Sequence, residues 1–286
     1  MLTNIKMGMI NPGITRPALR YYGGKFRLAK WIIGQFPPHV CYVEPFGGAG
    51  SLILRKQPSY HDIYNDLDGE VVNFFCVLRE RGDELIRAIE MTPYSREEQR
   101  ISFTLSNDDL ERARRLYVRA WQSHGGGRTQ CKSGWRYQKT TIRGSRLVDN
   151  WSNTDYLWAV VACLKQIQIE NDDGLKVIRR FDHPDTLFYI DPPYLSETRS
   201  QRWCKKAYTC EVDEAYHHKL SELLNSIEGM AIISGKPSEL YHDLYAGWKV
   251  LQRTCPTDFQ STTVECLWIS PKCESRQHQM AMSLPG

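Results

Sequence analysis

The chain has no run of about eighteen consecutive apolar residues, which argues against a membrane-spanning helix. The opening stretch, MLTNIKMGMINPGITRPALRYYGGK, lacks an apolar core followed by a small-residue cleavage site, so no secretory signal is expected. Nine cysteines are scattered with no C-x-x-C pair and no histidine at ligand spacing. An odd, unpatterned set reads as reduced intracellular thiols, neither a disulfide scaffold nor a zinc site. Charge of either sign is not in excess: 37 basic against 33 acidic residues leave +4, too little to mark a nucleic-acid binder alone. No internal repeat or low-complexity segment is visible. What is present is 286 residues with 41% hydrophobic content, enough for one large domain or a domain carrying an insertion. The expectation is a soluble, cytoplasmic protein without a metal.

Hydrophobic periodicity divides the chain. A helix is predicted over Phe26–Phe36, stopped by Pro37-Pro38. Val40–Glu44 reads as a short strand breaking into Pro45-Phe46-Gly47-Gly48-Ala49-Gly50-Ser51, with a helix expected over SLILRK. His61–Asn65 is a second strand, and a helix follows over Gly69–Arg81, starting near Asp68. Residues 75–165 change character: a charged helical stretch over 95–122, then 124–146, which holds six Lys or Arg, five glycines and no acid. A helix over Asp155–Gln166 and another over Gly174–Phe181 lead to the strand LFYI and Asp191-Pro192-Pro193-Tyr194. Beyond it come a helix over Glu211–Ile227, a strand over Met230–Ser234, a short helix after Pro237, and a hairpin of Lys249–Arg253 with Val264–Ser270. Alternating strands and helices predict a mostly parallel α/β sheet with an antiparallel C-terminal pair.

The glycine loop lets backbone turn tightly and approach a ligand, but no Lys-Ser or Lys-Thr follows, so it is no phosphate loop. A ligand-free tight turn is the competing reading. Asp66 ends the next strand, where a carboxylate can accept from ribose hydroxyls. Alternatively it caps the following helix, although Asp68 suits that position better. Asp191-Pro192-Pro193-Tyr194 is more specific. Two prolines hold extended geometry and remove donors, leaving a carboxylate, the Pro192 carbonyl and an aromatic face where open α/β sheets bind ligands. A planar group with an amine at its edge fits such a site.

On these motifs, with Leu19-Arg20-Tyr21-Tyr22-Gly23-Gly24-Lys25 and Asn65-Asp66, the chain resembles the Dam family of DNA adenine methyltransferases. The resemblance implies a seven-stranded, Rossmann-like methyltransferase sheet with helices on both faces and a helical target-recognition insert. It implies a catalytic domain over 19–75 and 166–272, an insert over 76–165, and terminal extensions over 1–18 and 273–286. It implies that S-adenosylmethionine donates a methyl group to the N6 amine of a flipped-out adenine in double-stranded DNA, leaving S-adenosylhomocysteine, with no metal. Cofactor contacts would be Tyr21, Gly24, Lys25, Phe46, Gly47, Gly48, Gly50, Ser51, Asp66, Asp173 and Asp191, with Asp172 competing for the place of Asp173. Asp191, Pro192, Pro193 and Tyr194 would be catalytic, hydrogen bonds to the amine localising its lone pair and Tyr194 replacing lost stacking.

In the insert, Arg128, Lys132, Arg136, Lys139, Arg143 and Arg146 suit contact with phosphates or a base edge, Arg136 being the first choice because Trp135 and Tyr137 flank it. The competing reading is a solvated basic loop. Arg199, Arg202, Lys205 and Lys206 form a second cluster after the tetrapeptide. No membrane and no obligate protein partner is expected, in a bacterial or phage-infected cell, with orphan, phage and restriction-system roles all open. Methylation of cytosine or another nucleic-acid amine, or a silent DNA-binding relative, are the alternative functions.

Overall fold

Short apolar runs bounded by turn residues become seven strands: β1 (Cys41–Glu44), β2 (His61–Asn65), β3 (Ile167–Glu170), β4 (Thr186–Ile190), β5 (Met230–Gly235), β6 (Lys249–Pro256) and β7 (Thr262–Ile269). The computed structural model describes residues 11, 13–125, 133–139, 146–194, 212–256 and 262–283. Within these, the strands form one sheet in the order β3-β2-β1-β4-β5-β7-β6. β1 to β5 run parallel, while β7 is antiparallel to both β5 and β6. This is the mixed methyltransferase-type sheet that the resemblance implies.

The helices are α1 (Ala29–Ile33), α2 (Gly69–Glu80), α3 (Gly82–Glu90), α4 (Arg96–Ile101), α5 (Asp109–Gln122), α6 (Leu147–Ser152), α7 (Tyr156–Leu164), α8 (Gly174–Arg180), α9 (Glu214–Ser226), α10 (Glu239–Leu244) and α11 (Pro271–Ser283). Asp68 caps α2 as expected, accepting from the Glu70 amide. Two expectations are corrected. The helix over Phe26–Phe36 contracts to α1, with turns on either side and Gly34 at its C-terminus. SLILRK forms no regular helix; successive turns carry the chain, tied by Leu54 N to Gly50 O and Lys56 N to Leu52 O.

Side chains alternate across a strand, so the inner strands feed two cores. Tyr42, Tyr64, Leu187, Tyr189 and Ile232 join α1, α2, α3, α5 and α7 on one face. Val43, Ile63, Phe188, Ile190 and Ile233 join α8, α9 and α10 on the other. Among the described residues of the 76–165 segment, Leu85, Leu116, Trp151 and Leu157 belong to the first cluster, and position 76 falls inside α2. Arg16 binds the N-terminal segment to it, its guanidinium 4.0 Å from the Trp121 ring and 4.5 Å from that of Tyr156. No helix among the described residues is long and apolar enough to cross a membrane.

The chain runs β1, β2, β3 in one direction, then returns to place β4 on the other side of β1. Strand order thus reverses between β1 and β4, and ligands bind at the carboxyl ends of such a pair. β1 ends in Glu44 and β4 in Ile190, immediately before Asp191.

Candidate active site

A cleft of about 890 Å³ opens at that switch point. Of the residues expected to touch a cofactor, all but Gly50 and Asp173 line it. Phe46, Leu67 and Tyr216 give it apolar wall, with the Phe46 and Tyr216 rings edge to face at 6.3 Å. Glu44, Asp66, Asp68 and Asp191 also line it, as does, among the described residues, one ammonium, that of Lys25.

The glycine loop is held by its neighbours. Gly47 N donates to Asn65 O at 2.7 Å, Gly48 N to Asp66 Oδ2 at 2.7 Å, and the Tyr64 hydroxyl to Gly48 O at 2.6 Å. Asp66 Oδ1 accepts from Asp68 N at 2.8 Å, so the acid clamps the loop to the end of β2 while Asp68 does the capping. Burial pushes the Asp66 carboxyl up to about 6, against the lowering by those amide bonds. Gly48 has φ +48, and a side chain there would press on the Tyr21 ring at 3.3 Å.

The two expected cofactor residues that do not line the cleft have local roles. Gly50 turns the chain at φ +62, facing Leu54 and Ile53. Asp173 caps α8 through the Leu175 amide at 2.7 Å and accepts from the Tyr216 hydroxyl at 3.1 Å, holding the cleft wall without lining it. Its competitor Asp172 is turned to the surface, paired with Arg180 at 2.9 Å and Lys176 at 3.2 Å.

Lys25 and Asp191 meet across 166 residues of sequence: Lys25 Nζ donates to both Asp191 oxygens at 2.8 Å and to Gly23 O at 2.9 Å. Ser234 Oγ adds a third bond to Asp191 Oδ1 at 2.8 Å, and the Tyr189 hydroxyl orients Ser234 at 2.9 Å. Burial raises the Asp191 carboxyl, with Lys25 opposing. Burial also pulls the Lys25 ammonium down, but Asp191 and Glu265 outweigh it and hold it above its ordinary value. Tyr194 is 9% exposed, its hydroxyl donating to Glu265 and its ring 4.9 Å from Lys25 Nζ. Sequence reasoning missed Glu265, Ser234 and Lys236. One signal was available, since Glu265 is a lone acid inside the otherwise apolar run VECLWI.

Glu44, 3% exposed and accepting from the Tyr42 hydroxyl at 2.7 Å, was also not singled out. Burial pushes its carboxyl up to about 8 from 4.5. The folded chain then binds more protons than the unfolded one between those two values, so stability falls as pH rises through that window. Glu44→Gln removes this term. Its unfolding free energy is expected to gain on the parent's by up to about 1.4 kcal/mol per pH unit between pH 5 and 8. Denaturant titrations at pH 5, 6, 7 and 8 test this, and parallel pH profiles would refute it.

In the insert, Arg128, Lys132 and Arg143 lie outside the described residues, as do Arg199, Arg202, Lys205 and Lys206. Residues 133–137 run back along the end of α5: Ser123 and Trp135 form an antiparallel bridge, and Arg136 N donates to Gln122 O at 2.7 Å. Trp135 and Tyr137 stand on either side of Arg136 in sequence. They stack on each other at 6.1 Å, because residues two apart in extended chain share a face, which leaves Arg136 on the other. The cation over Trp135 is Arg96, at 4.9 Å. Lys139 and Arg146 are exposed, the latter 3.8 Å from Asp149. Among the described residues no group of three or more His, Cys, Asp or Glu side chains could hold a metal ion.

Comparison with known proteins adds to this geometry. The family model described as D12 class N6 adenine-specific DNA methyltransferase matches residues 21–254. The DNA adenine methylase of Haemophilus influenzae is 25% identical over 252 residues, covering 82% of this chain and 84% of that protein. Those of Escherichia coli K12 and Serratia marcescens are 34% and 32% identical over 73 and 72 residues, each about a quarter of either chain.

Proposed function

Because the chain belongs to the D12 class of N6 adenine-specific DNA methyltransferases, we propose that its methyl donor is S-adenosylmethionine and that this donor occupies the cleft between β1 and β4. The enzyme methylates adenine in DNA at N6. The observation that carries the reading of the cleft is its charge: among the described lining residues Asp66, Asp68 and Asp191 outnumber the Lys25 ammonium, an excess that suits a ligand bearing a sulfonium and an ammonium and repels phosphates. An entering cation would favour the ionised form of each acid, including Glu44. The donor set agrees with this, since Asp66 keeps lone pairs for ribose hydroxyls and Phe46, Leu67 and Tyr216 offer apolar surface to a purine.

When bound, S-adenosylmethionine supplies an electrophilic methyl group and leaves as S-adenosylhomocysteine. The protein's part is to make a poor nucleophile attack. Asp191 Oδ2, with one lone pair beyond the Lys25 bond, and the Pro192 carbonyl accept the two amine protons of the target adenine, favouring a localised nitrogen lone pair. Lys25 and Ser234 hold the carboxylate in place, so little reorganisation is needed as charge develops. The raised Asp191 carboxyl suits it to take the proton that the methylated amine releases. The target base leaves the duplex, and the insert's cations, Arg136, Lys139 and Arg146 with their neighbours in 124–146, hold the DNA backbone.

Asp66→Ala tests the cofactor reading. It should weaken S-adenosylmethionine binding by roughly 1.5–3 kcal/mol in calorimetry, while affinity for DNA stays near the parent's. Unchanged cofactor affinity in a folded variant would restrict Asp66 to clamping the loop.

A further inference from the structure

The tetrapeptide fixes its backbone with two prolines, but nothing in Asp191-Pro192-Pro193-Tyr194 fixes the tyrosine ring, which can turn about two side-chain bonds. The ring is nonetheless tied down, from the far side of the sheet. Glu265 lies one residue beyond the last β5–β7 pair, Gly235↔Cys266, which sets it across from Lys236. Its other neighbour is Arg253 on β6, so the β6–β7 ladder fixes its backbone while the β5–β7 ladder ends one residue away. The carboxylate is 5% exposed and has three partners: the Tyr194 hydroxyl and Lys25 Nζ at 3.6 Å on Oε1, and Lys236 Nζ at 3.4 Å on Oε2. Lys236 in turn donates to Thr263 Oγ1 on β7.

We propose that Glu265 is a positioning residue for methyl transfer, whose carboxylate holds the Tyr194 hydroxyl and so sets the plane against which the target base stacks. The inference rests on the reading of residues 191–194 as the catalytic tetrapeptide. A hydrogen bond to a buried carboxylate is about twice as strong as one to a neutral acceptor, which suits a ring that must not swing when a base arrives. The two ammoniums, one near each oxygen, keep the acceptor aimed. Lys25 bridges the two acids, contacting Asp191 and Glu265 and lying over the Tyr194 ring, so amine acceptor and stacking plane are registered to one cation. Glu265 itself touches neither substrate nor cofactor in this scheme.

The competing role is charge balance for Lys25 and Lys236 alone, and a mutant cycle separates the two. Glu265→Ala is expected to lower kcat about 10- to 100-fold, with KM for S-adenosylmethionine within about twofold of the parent's. Glu265→Gln, which keeps an acceptor, should recover most of that loss. Tyr194→Phe removes only the hydroxyl and should cost a comparable factor. Adding either Glu265 change to Tyr194→Phe should then cost less than about twofold more. Losses that multiply, or a parent-like kcat in Glu265→Ala, overturn the proposal. Should Glu265→Ala not fold, Tyr194→Phe decides: a kcat lowered about 10-fold or more at unchanged KM supports the proposal, and a parent-like Tyr194→Phe refutes it. Asp191→Asn run in parallel distinguishes failures, because a parent-like rate there overturns the tetrapeptide reading instead.

Discussion

Asp191→Ala is expected to slow methyl transfer at least about 100-fold, the scale of losing one preorganised electrostatic contact at a reacting centre. The amine loses an acceptor for one of its protons, and the group placed to receive the released proton disappears. Lys25 also loses both of its 2.8 Å bonds, leaving a buried ammonium with Gly23 O and the more distant Glu265. That second effect is one of stability, and orphaning a buried charge costs about 3–5 kcal/mol. Asp191→Asn separates the two. It keeps the shape and one acceptor, and should fold with a smaller penalty while remaining severely slowed. Single-turnover transfer from labelled S-adenosylmethionine, with melting curves for both variants, gives the comparison. Near-parental turnover in either variant would mean that the amine is held elsewhere.

Gly47→Ala should both lower the melting temperature and abolish measurable cofactor binding. A Cβ there would lie 2.3 Å from Tyr64 Cε2, 2.6 Å from its Cδ2 and 3.0 Å from Asn65 O. Tyr64 cannot move aside: it is 1% exposed, packs edge-on against Phe75 at 5.0 Å, and its hydroxyl is committed to Gly48 O. The loop must therefore lift off β2, breaking the Gly47–Asn65 and Gly48–Asp66 bonds that shape the cleft. Overpacking of this kind costs about 1–3 kcal/mol. Gly134→Ala, with nothing within 4 Å of the added carbon, is the neutral control. Melting and calorimetry that show Gly47→Ala behaving like Gly134→Ala would contradict the packing described.

The features that sequence reading located are the ones whose chemistry is local. A proline pair after an acid, a glycine loop between apolar runs and an aspartate one residue before a helix each carry their reason within a few residues, and Asp191, Gly48 and Asp68 are where that reasoning put them. Asp173 is expected at the cofactor because the family resemblance marks its position, whereas its Oδ1 accepts from a helix-end amide and a tyrosine hydroxyl, bonds that no local pattern announces. Ser234, Lys236 and Glu265 reach the site only because β5 lies beside β4 and β7 beside β5. Alternating hydrophobicity says which face a strand residue takes, not which strand will be its neighbour. The stacking of Trp135 on Tyr137 was hidden for a related reason, since residues adjacent in sequence lie on opposite faces of extended chain and residues two apart share one.

The placement of β7 between β5 and β6 also dictates an order of assembly. β6 is made before β7 but has no partner in the sheet except β7. Until β7 is present, β5 is an open edge with unpaired amides and carbonyls, and β6 has nowhere to dock. The sheet therefore completes itself with an internal strand, a late long-range closure of the kind that sets folding times. That strand brings Glu265 and the anchor for Tyr194. A chain still emerging from the ribosome could fold its cofactor loop and tetrapeptide yet leave the tyrosine unheld, so methylation competence would arrive in one step, once β7 has joined the sheet.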